Sequence, residues 1–135
     1  MQYEQFVGQV QNRGRMASQG EAVRAICATL ETLGERLAGG ERPHLEAQLP
    51  SGIGAYLRLA HQQERFGLQE FFQRVAKREG AGVDVPGAAH HARTVLEVLQ
   101  EAVTPGQMQH VRDALPDEFV PLFESGSQGE MDIKR

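Results

Sequence analysis

An all-α fold made of two copies of a four-helix unit is the architecture this chain predicts, and three observations predict it. Apolar residues recur at three- and four-residue steps. No run of alternating β-branched and polar residues occurs, and the apolar pattern of the first half returns in the second. Ala22, Ile26, Leu30, Leu33 and Leu37 have the spacing of Ala88, Ala92, Leu96, Leu99 and Val103. Leu45, Leu49, Pro50, Ile53, Tyr56 and Leu57 meet Val111, Leu115, Pro116, Phe119, Leu122 and Phe123 at an offset of 66 (115 minus 49). Upstream, Tyr3, Phe6 and Val10 meet Leu68, Phe71 and Val75 at an offset of 65 (75 minus 10), so one residue is inserted in the loop that follows. Duplication is the economical explanation, and it predicts about eight helices in a pseudo-twofold arrangement.

Each half supplies four segments. The first, over about 3–10 and about 68–78, lines its apolar residues along one helix face. The second opens in the first half with Ser18-Gln19-Gly20-Glu21, in which the Ser hydroxyl accepts from an orphan N–H and the Glu reaches back. In the second half Asp84 is the candidate cap and Pro86 occupies the first turn, where a missing N–H costs nothing. The third segment starts in the second half at Thr104-Pro105-Gly106-Gln107, a cap, a proline and a Gln at the capping-box distance; in the first half the start slips to Gly40, because Pro43 is tolerated only in a first turn. The fourth segments begin at Pro50 and Pro116. The connection His61-Gln62-Gln63-Glu64-Arg65 is too short to separate the halves, and each half of about 60 residues is near the lower limit for burying a core alone. One helical domain over 1–123 is therefore expected, from repeats of about 1–60 and 66–123. The polar stretch 124–135 is expected to be a mobile tail.

Composition narrows the function classes. The chain has 135 residues, 40% hydrophobic and 24% charged, and no stretch approaches the roughly 18 apolar residues of a membrane span. Without a leader-like N-terminus, a cytoplasmic protein is expected. Lys plus Arg number 14 against 18 Asp plus Glu, a net charge of -4. Residues 1–60 balance six Arg against six Glu, and 61–123 carry six basic and nine acidic groups. The helix, Gly-Gly turn and helix around 33–49 superficially resembles a DNA-binding motif, but phosphate neutralisation needs a clustered surplus of positive charge, so no nucleic-acid partner is expected.

The reactive side chains read blandly. Cys27, the one cysteine, rules out an internal disulfide and lies beside Ile26 and one turn from Val23 and Leu30, where a thiol behaves as a small hydrophobe. His90 and His91 are neighbours about 100° apart on a helix and cannot both face one ion, and His61 with Glu64 falls in the connection. The pairs Glu31–Glu35 and Glu97–Glu101 stand at i, i+4 opposite the apolar stripe, which reads as a solvated charged face. Gly34, Gly39 and Gly40 lack the residues of a phosphate-binding loop. The sequence predicts no catalytic residue, no cofactor and no metal. What remains is apolar surplus: adjacent Phe71 and Phe72 diverge on a helix, as do Phe6 and Val7, so they either fill the junction between halves or face a partner.

One family resemblance follows from residues already quoted. Glu31-Thr32-Leu33-Gly34-Glu35-Arg36-Leu37 with Gly39-Gly40-Glu41 and Ala47-Gln48-Leu49-Pro50, then Glu64-Arg65-Phe66 running to Glu70-Phe71 and Arg74-Val75-Ala76, resembles a family of small bacterial proteins known as domain of unknown function 2267. The closing Val111-Arg112, Leu115-Pro116 and Leu122-Phe123 fit the same pattern, so the resemblance spans about 3–123, departing in the glycine-rich 80–87 loop and the tail. It implies a small helical bacterial protein and brings no catalytic residues to carry over. The expected function is a non-enzymatic protein-interaction module, binding a protein partner or a second copy as a homodimer, with Phe6, Tyr56, Phe71, Phe72, His90 and Arg93 as candidate surface. The alternative is a small-molecule binding or sensing protein with its site between the repeats, where Tyr56, His90 and Arg93 would converge.

Overall fold

Ser18 and Asp84 open the two longest helices as their side chains require. The Ser18 hydroxyl accepts from the Glu21 N–H at 3.1 Å, and the Asp84 carboxylate accepts from the Gly87 N–H at 2.9 Å. Glu21 reaches back one residue further than a capping box needs, to the Ala17 N–H at 3.0 Å. The computed structural model describes residues 1–37, 40–60 and 62–124. His61 and the tail beyond Glu124, whose mobility the sequence predicts, lie outside the described residues.

Within them the architecture is all-helical, with no strand. Helices α1 (Tyr3–Arg13), α2 (Gln19–Arg36) and α3 (Glu41–Gln48) precede a 3₁₀ segment at Gly54–Leu59. Then come α4 (Leu68–Glu79), α5 (Val85–Ala102), α6 (Pro105–Asp113), a short 3₁₀ turn at Asp117–Phe119 and α7 (Val120–Phe123). The long helices α2 and α5 touch each other at the centre. α1 packs on both, and so does α4; the 3₁₀ segment covers α2, α7 covers α5, and α3 meets α6. The central faces carry Ile26, Leu30 and Leu33 from α2 and Leu96 and Leu99 from α5, all fully buried.

Two local expectations change. The fourth segments start as 3₁₀ turns and not as α-helices. The first half explains why: Gly52 has φ +89°, and a Cβ at Gly54 would lie 2.8 Å from the Glu46 carbonyl oxygen, so the chain is bent and pressed against α3 before a regular helix can begin. At α6, Thr104 caps as expected, accepting from the Gln107 N–H at 3.1 Å, but the Gln107 side chain does not close a capping box. It crosses to the first half and donates to Glu41 at 3.3 Å, while Gln48 satisfies the Thr104 N–H at 2.9 Å. α3 starts with Gly40 as its cap and Pro43 in the first turn, where the proline ring costs least.

The described part of the connection and its flanks are held at three points. The Glu64 N–H donates to the Glu35 carbonyl at 2.8 Å, Arg36 donates to the Phe66 carbonyl at 2.8 Å, and Arg42 donates to the Ala60 carbonyl at 3.0 Å. Phe66 is buried, with the Arg74 guanidinium 3.9 Å from its ring centroid.

Candidate functional site

The glutamate pairs that read as a solvated face are docking rows for arginines of the opposite half, which corrects the sequence reading. Arg13, at the end of α1, forms a bidentate pair with Glu101 on α5, at 2.7 and 2.8 Å, and reaches Glu97 at 3.8 Å. Arg78, at the end of α4, forms a bidentate pair with Glu35 on α2, at 2.6 and 2.8 Å, and reaches Glu31 at 3.5 Å. Helical i, i+4 spacing places each pair of acids on one ridge, and the planar guanidinium matches a carboxylate edge. Arg74 adds a second layer on the α2 side, binding Glu35, Glu64 and Glu70 at 3.0, 2.8 and 2.6 Å. Hydrogen bonding from Arg78 outweighs burial and holds the Glu35 carboxyl below its ordinary range. An acid kept ionised and doubly clamped is suited to holding helices together, not to proton transfer.

The two histidines point apart. The His90 ring Nε2 is 3.2 Å from the Gly14 carbonyl at the end of α1. His91 is buried, its Nδ1 2.7 Å from Glu79 and its Nε2 3.7 Å from Glu21. The hydrogen bond with Glu79 raises the His91 pKa against the opposing effect of burial. Among the described residues no group of three His, Cys, Asp or Glu side chains is placed to hold a metal ion. Cys27 borders a small pocket with Arg24, Ala28, Glu31 and Arg78, and burial pushes its thiol up, away from the reactive thiolate.

The aromatic candidates for a partner surface belong to the core. Phe6 and Phe71 are fully buried and Phe72 is 4% exposed, because the rings of Phe71, Phe72 and Phe119 stack edge-to-face at about 6 Å separations and close the interior. A substitution at Phe72 therefore tests folding, not recognition. Arg93 is also buried; its Nε donates to the Glu124 carbonyl at 3.5 Å, and burial lowers its pKa. Tyr56 is half-buried on the 3₁₀ segment, its phenol pushed up to about 12 by burial and by the neighbouring Tyr3. Tyr56, His90 and Arg93 are not brought together as one site: Tyr56 sits beside Tyr3, His90 on the end of α1 and Arg93 on Glu124.

An apolar recess lies elsewhere, where α6 turns through Asp117–Phe119 into α7. Leu115, Pro116, Phe119, Val120 and Phe123 line a cleft of about 300 Å³, with Arg112, Asp117 and Glu124 at its rim. Val120 is 47% exposed. Arg112 is fixed from two sides, donating to Gln100 at 2.7 Å and stacking 5.5 Å from the Phe123 ring centroid. The sequence pattern assigns Leu115, Pro116, Phe119 and Phe123 to the repeated core. The available signal was Val120, an apolar residue that the repeat leaves without an apolar counterpart, since Gly54 stands at its matching position (120 minus 66).

A family model described as an uncharacterized conserved protein, DUF2267, matches residues 3–122. No curated protein matches the chain.

Proposed function

Because the chain belongs to the DUF2267 family, an uncharacterized one, the reading rests on its own residues, and we propose that it is a non-enzymatic helical interaction module of the bacterial cytoplasm. It engages a protein partner through the cleft at α6 and α7. The observation that carries this is the combination there of an exposed aliphatic side chain, a recess lined by two phenylalanines, and charged residues at the rim. Asp117 and Glu124 favour a partner helix with one large apolar anchor beside a basic residue, the helix-in-groove mode. The partner is another protein or a second copy of the chain, and neither nucleic acid nor cofactor takes part.

We also propose that the two halves descend from one unit and pack about a pseudo-twofold axis. Supporting this, Arg13 and Arg78 are matching positions (78 minus 13 is 65), as are Glu31 with Glu97 and Glu35 with Glu101 (101 minus 35 is 66). Each arginine crosses to the other half's acids. Glu41 and Gln107, also 66 apart, meet each other, as equivalent residues on a twofold axis must.

The test selects displayed helical peptides against the chain, with a Val120→Arg chain as counter-target. Enriched peptides should share an apolar anchor with a basic neighbour and bind Val120→Arg at least tenfold more weakly. Failure to enrich, or binders indifferent to Val120, overturns the reading. A cleft of about 300 Å³ also fits the lower end of small-ligand sites, a second reading supported if native mass spectrometry of the purified chain finds a retained metabolite that Val120→Arg loses.

A further inference from the structure

The buried polar group that the cleft does not use lies where α2, α4 and α5 meet. Glu79 is the last residue of α4 and is 5% exposed; its Oε2 is 2.7 Å from His91 Nδ1, and its Oε1 has no hydrogen-bond partner among the described residues. Glu21, in the first turn of α2, approaches His91 Nε2 at 3.7 Å. Both ring nitrogens thus face carboxylates, hydrogen-bonded at Nδ1 and at ion-pair distance at Nε2, an arrangement that favours a proton on each. We propose that Glu79, His91 and Glu21 form a proton-operated clasp fastening the end of α4 to α2 and α5, closed while His91 is charged and released when it is neutral.

The other charged neighbours bear on this differently. Arg24, on α2, opposes the charge on His91, and its effect is outweighed by the two carboxylates. Arg78, next to Glu79 on α4, is turned to Glu35 and Glu31. His90, next to His91 on α5, is taken by the Gly14 carbonyl of α1. With His91 neutral, Glu79 keeps a buried charge with only a neutral hydrogen bond to satisfy it, an unfavourable state that opening relieves.

The connection beyond Glu79 is built to yield. Gly80, Ala81 and Gly82 have φ of +64°, +53° and +80°, a left-handed run that an alanine adopts reluctantly. Release there loosens the turn that carries Arg78, and with it the α4 clasp on α2. The clasp is independent of the α6–α7 cleft.

The sign follows from the direction of the His91 shift. The ordinary value, 6.5, applies to the open form and a higher one to the closed form. The clasp is fully effective below the ordinary value, weakens as pH rises between the two, and is lost above the higher one. Hydrogen exchange of the full chain from pH 6 to 9, expressed as protection factors, tests it. Protection over residues 76–84 should fall by up to about tenfold per pH unit across that interval and then level off, as one-proton linkage requires. His91→Gln, which keeps a hydrogen bond to Glu79, should give a flat profile, and so should Glu79→Gln if the first variant folds poorly. A wild-type profile that is flat, that falls equally in every helix, or that survives in the variants overturns the proposal.

Discussion

The two arginine clasps occupy matching places and differ in depth. Around Arg13, the Glu101 side chain is 52% exposed, and added support comes from Glu97 at 3.8 Å and from Gln9, which accepts from Arg13 Nε at 3.0 Å. Around Arg78, the Glu35 side chain is 12% exposed, Thr32 accepts from Arg78 Nη1 at 2.8 Å, and Arg74 brings Glu64 and Glu70 into the same network. The difference comes from Arg74 and Thr32, which stand where the other clasp has Gln9 and Val98, and from the connection between the halves, whose Glu64 lies on the α2 side. One spacing of arginine and glutamates thus produces a screened surface pair in one half and a part-buried network in the other, and charge in water is worth far less than charge partly removed from it.

The sharpest way to break the equivalence is steric. Gly34 lies on α2 where a Cβ would meet the Leu57 carbonyl oxygen at 2.5 Å, and backbone cannot swing aside. Its matching position on α5 is Gln100 (100 minus 34 is 66), a side chain with room enough to accept from Arg112. Gly34→Ala should destabilise by about 3 kcal/mol, because overpacking here must separate α2 from the 3₁₀ segment. Gln100→Ala should cost under about 1 kcal/mol, the net worth of one part-exposed hydrogen bond. Urea unfolding of both variants decides; equal costs would mean that α2 and the 3₁₀ segment are not in close contact.

Next in size is Glu35→Ala, which removes the shared partner of Arg74 and Arg78 and leaves two guanidiniums crowded at a part-buried site. About 2 kcal/mol of destabilisation is expected in the same measurement, below the 3–5 kcal/mol of a fully buried pair because both arginines retain some solvent. Thr32→Val should recover none of it, since Thr32 also donates to the Ala28 carbonyl at 2.8 Å.

How much of this was legible in the residues depends on range. Ser18, Asp84, Thr104 and Pro43 act within a few positions of themselves, and the helix starts they announce are the ones found. The all-α class was legible for the same reason, since period-3.6 patterning is local. The destination of a charged side chain was not. Glu35 and Glu101 show the spacing of a solvated face, and only the crossing of α4 over α2 and of α1 over α5 turns that face into a seam. For Phe72 the residues left two destinations open, the junction or a partner, and burial selects the first. The divergence of Phe72 from Phe71 implies a second surface, and the structure supplies one inside, because the interior of this fold has more than one wall to fill. The cleft beside Val120 required the bend at Asp117–Phe119, which no periodicity announces.

Acid separates the clasps with a smaller effect. The Glu35 pKa is depressed in the folded chain, so its contribution is complete above the ordinary carboxylate value of 4.5 and is lost as pH falls through the lowered one. Between those limits wild-type stability should drop with acidification, and Glu35→Gln should show a shallower drop, read from melting temperatures at intervals from pH 5 to 2.5. Unchanged steepness in Glu35→Gln would place the acid-sensitive group elsewhere.

The smallest expected effect is the coupling between Arg13 and Glu101. The pair is bidentate and cross-half, yet half of the Glu101 side chain is in water; hydrogen bonding from Arg13 lowers the Glu101 pKa against the opposing effect of burial. A double-mutant cycle with Arg13→Ala and Glu101→Ala should give a coupling of about 0.5 kcal/mol, in the range of exposed ion pairs. It should shrink towards zero in 1 M salt, where the screening length is about 3 Å. The equivalent cycle on Arg78 and Glu35 should exceed it severalfold and resist salt, because the part-buried network is screened less. Equal couplings with equal salt sensitivity would show that Arg74, Thr32 and the connection between the halves add no depth to the α2 seam, and that the two clasps are alike in energy as well as in spacing.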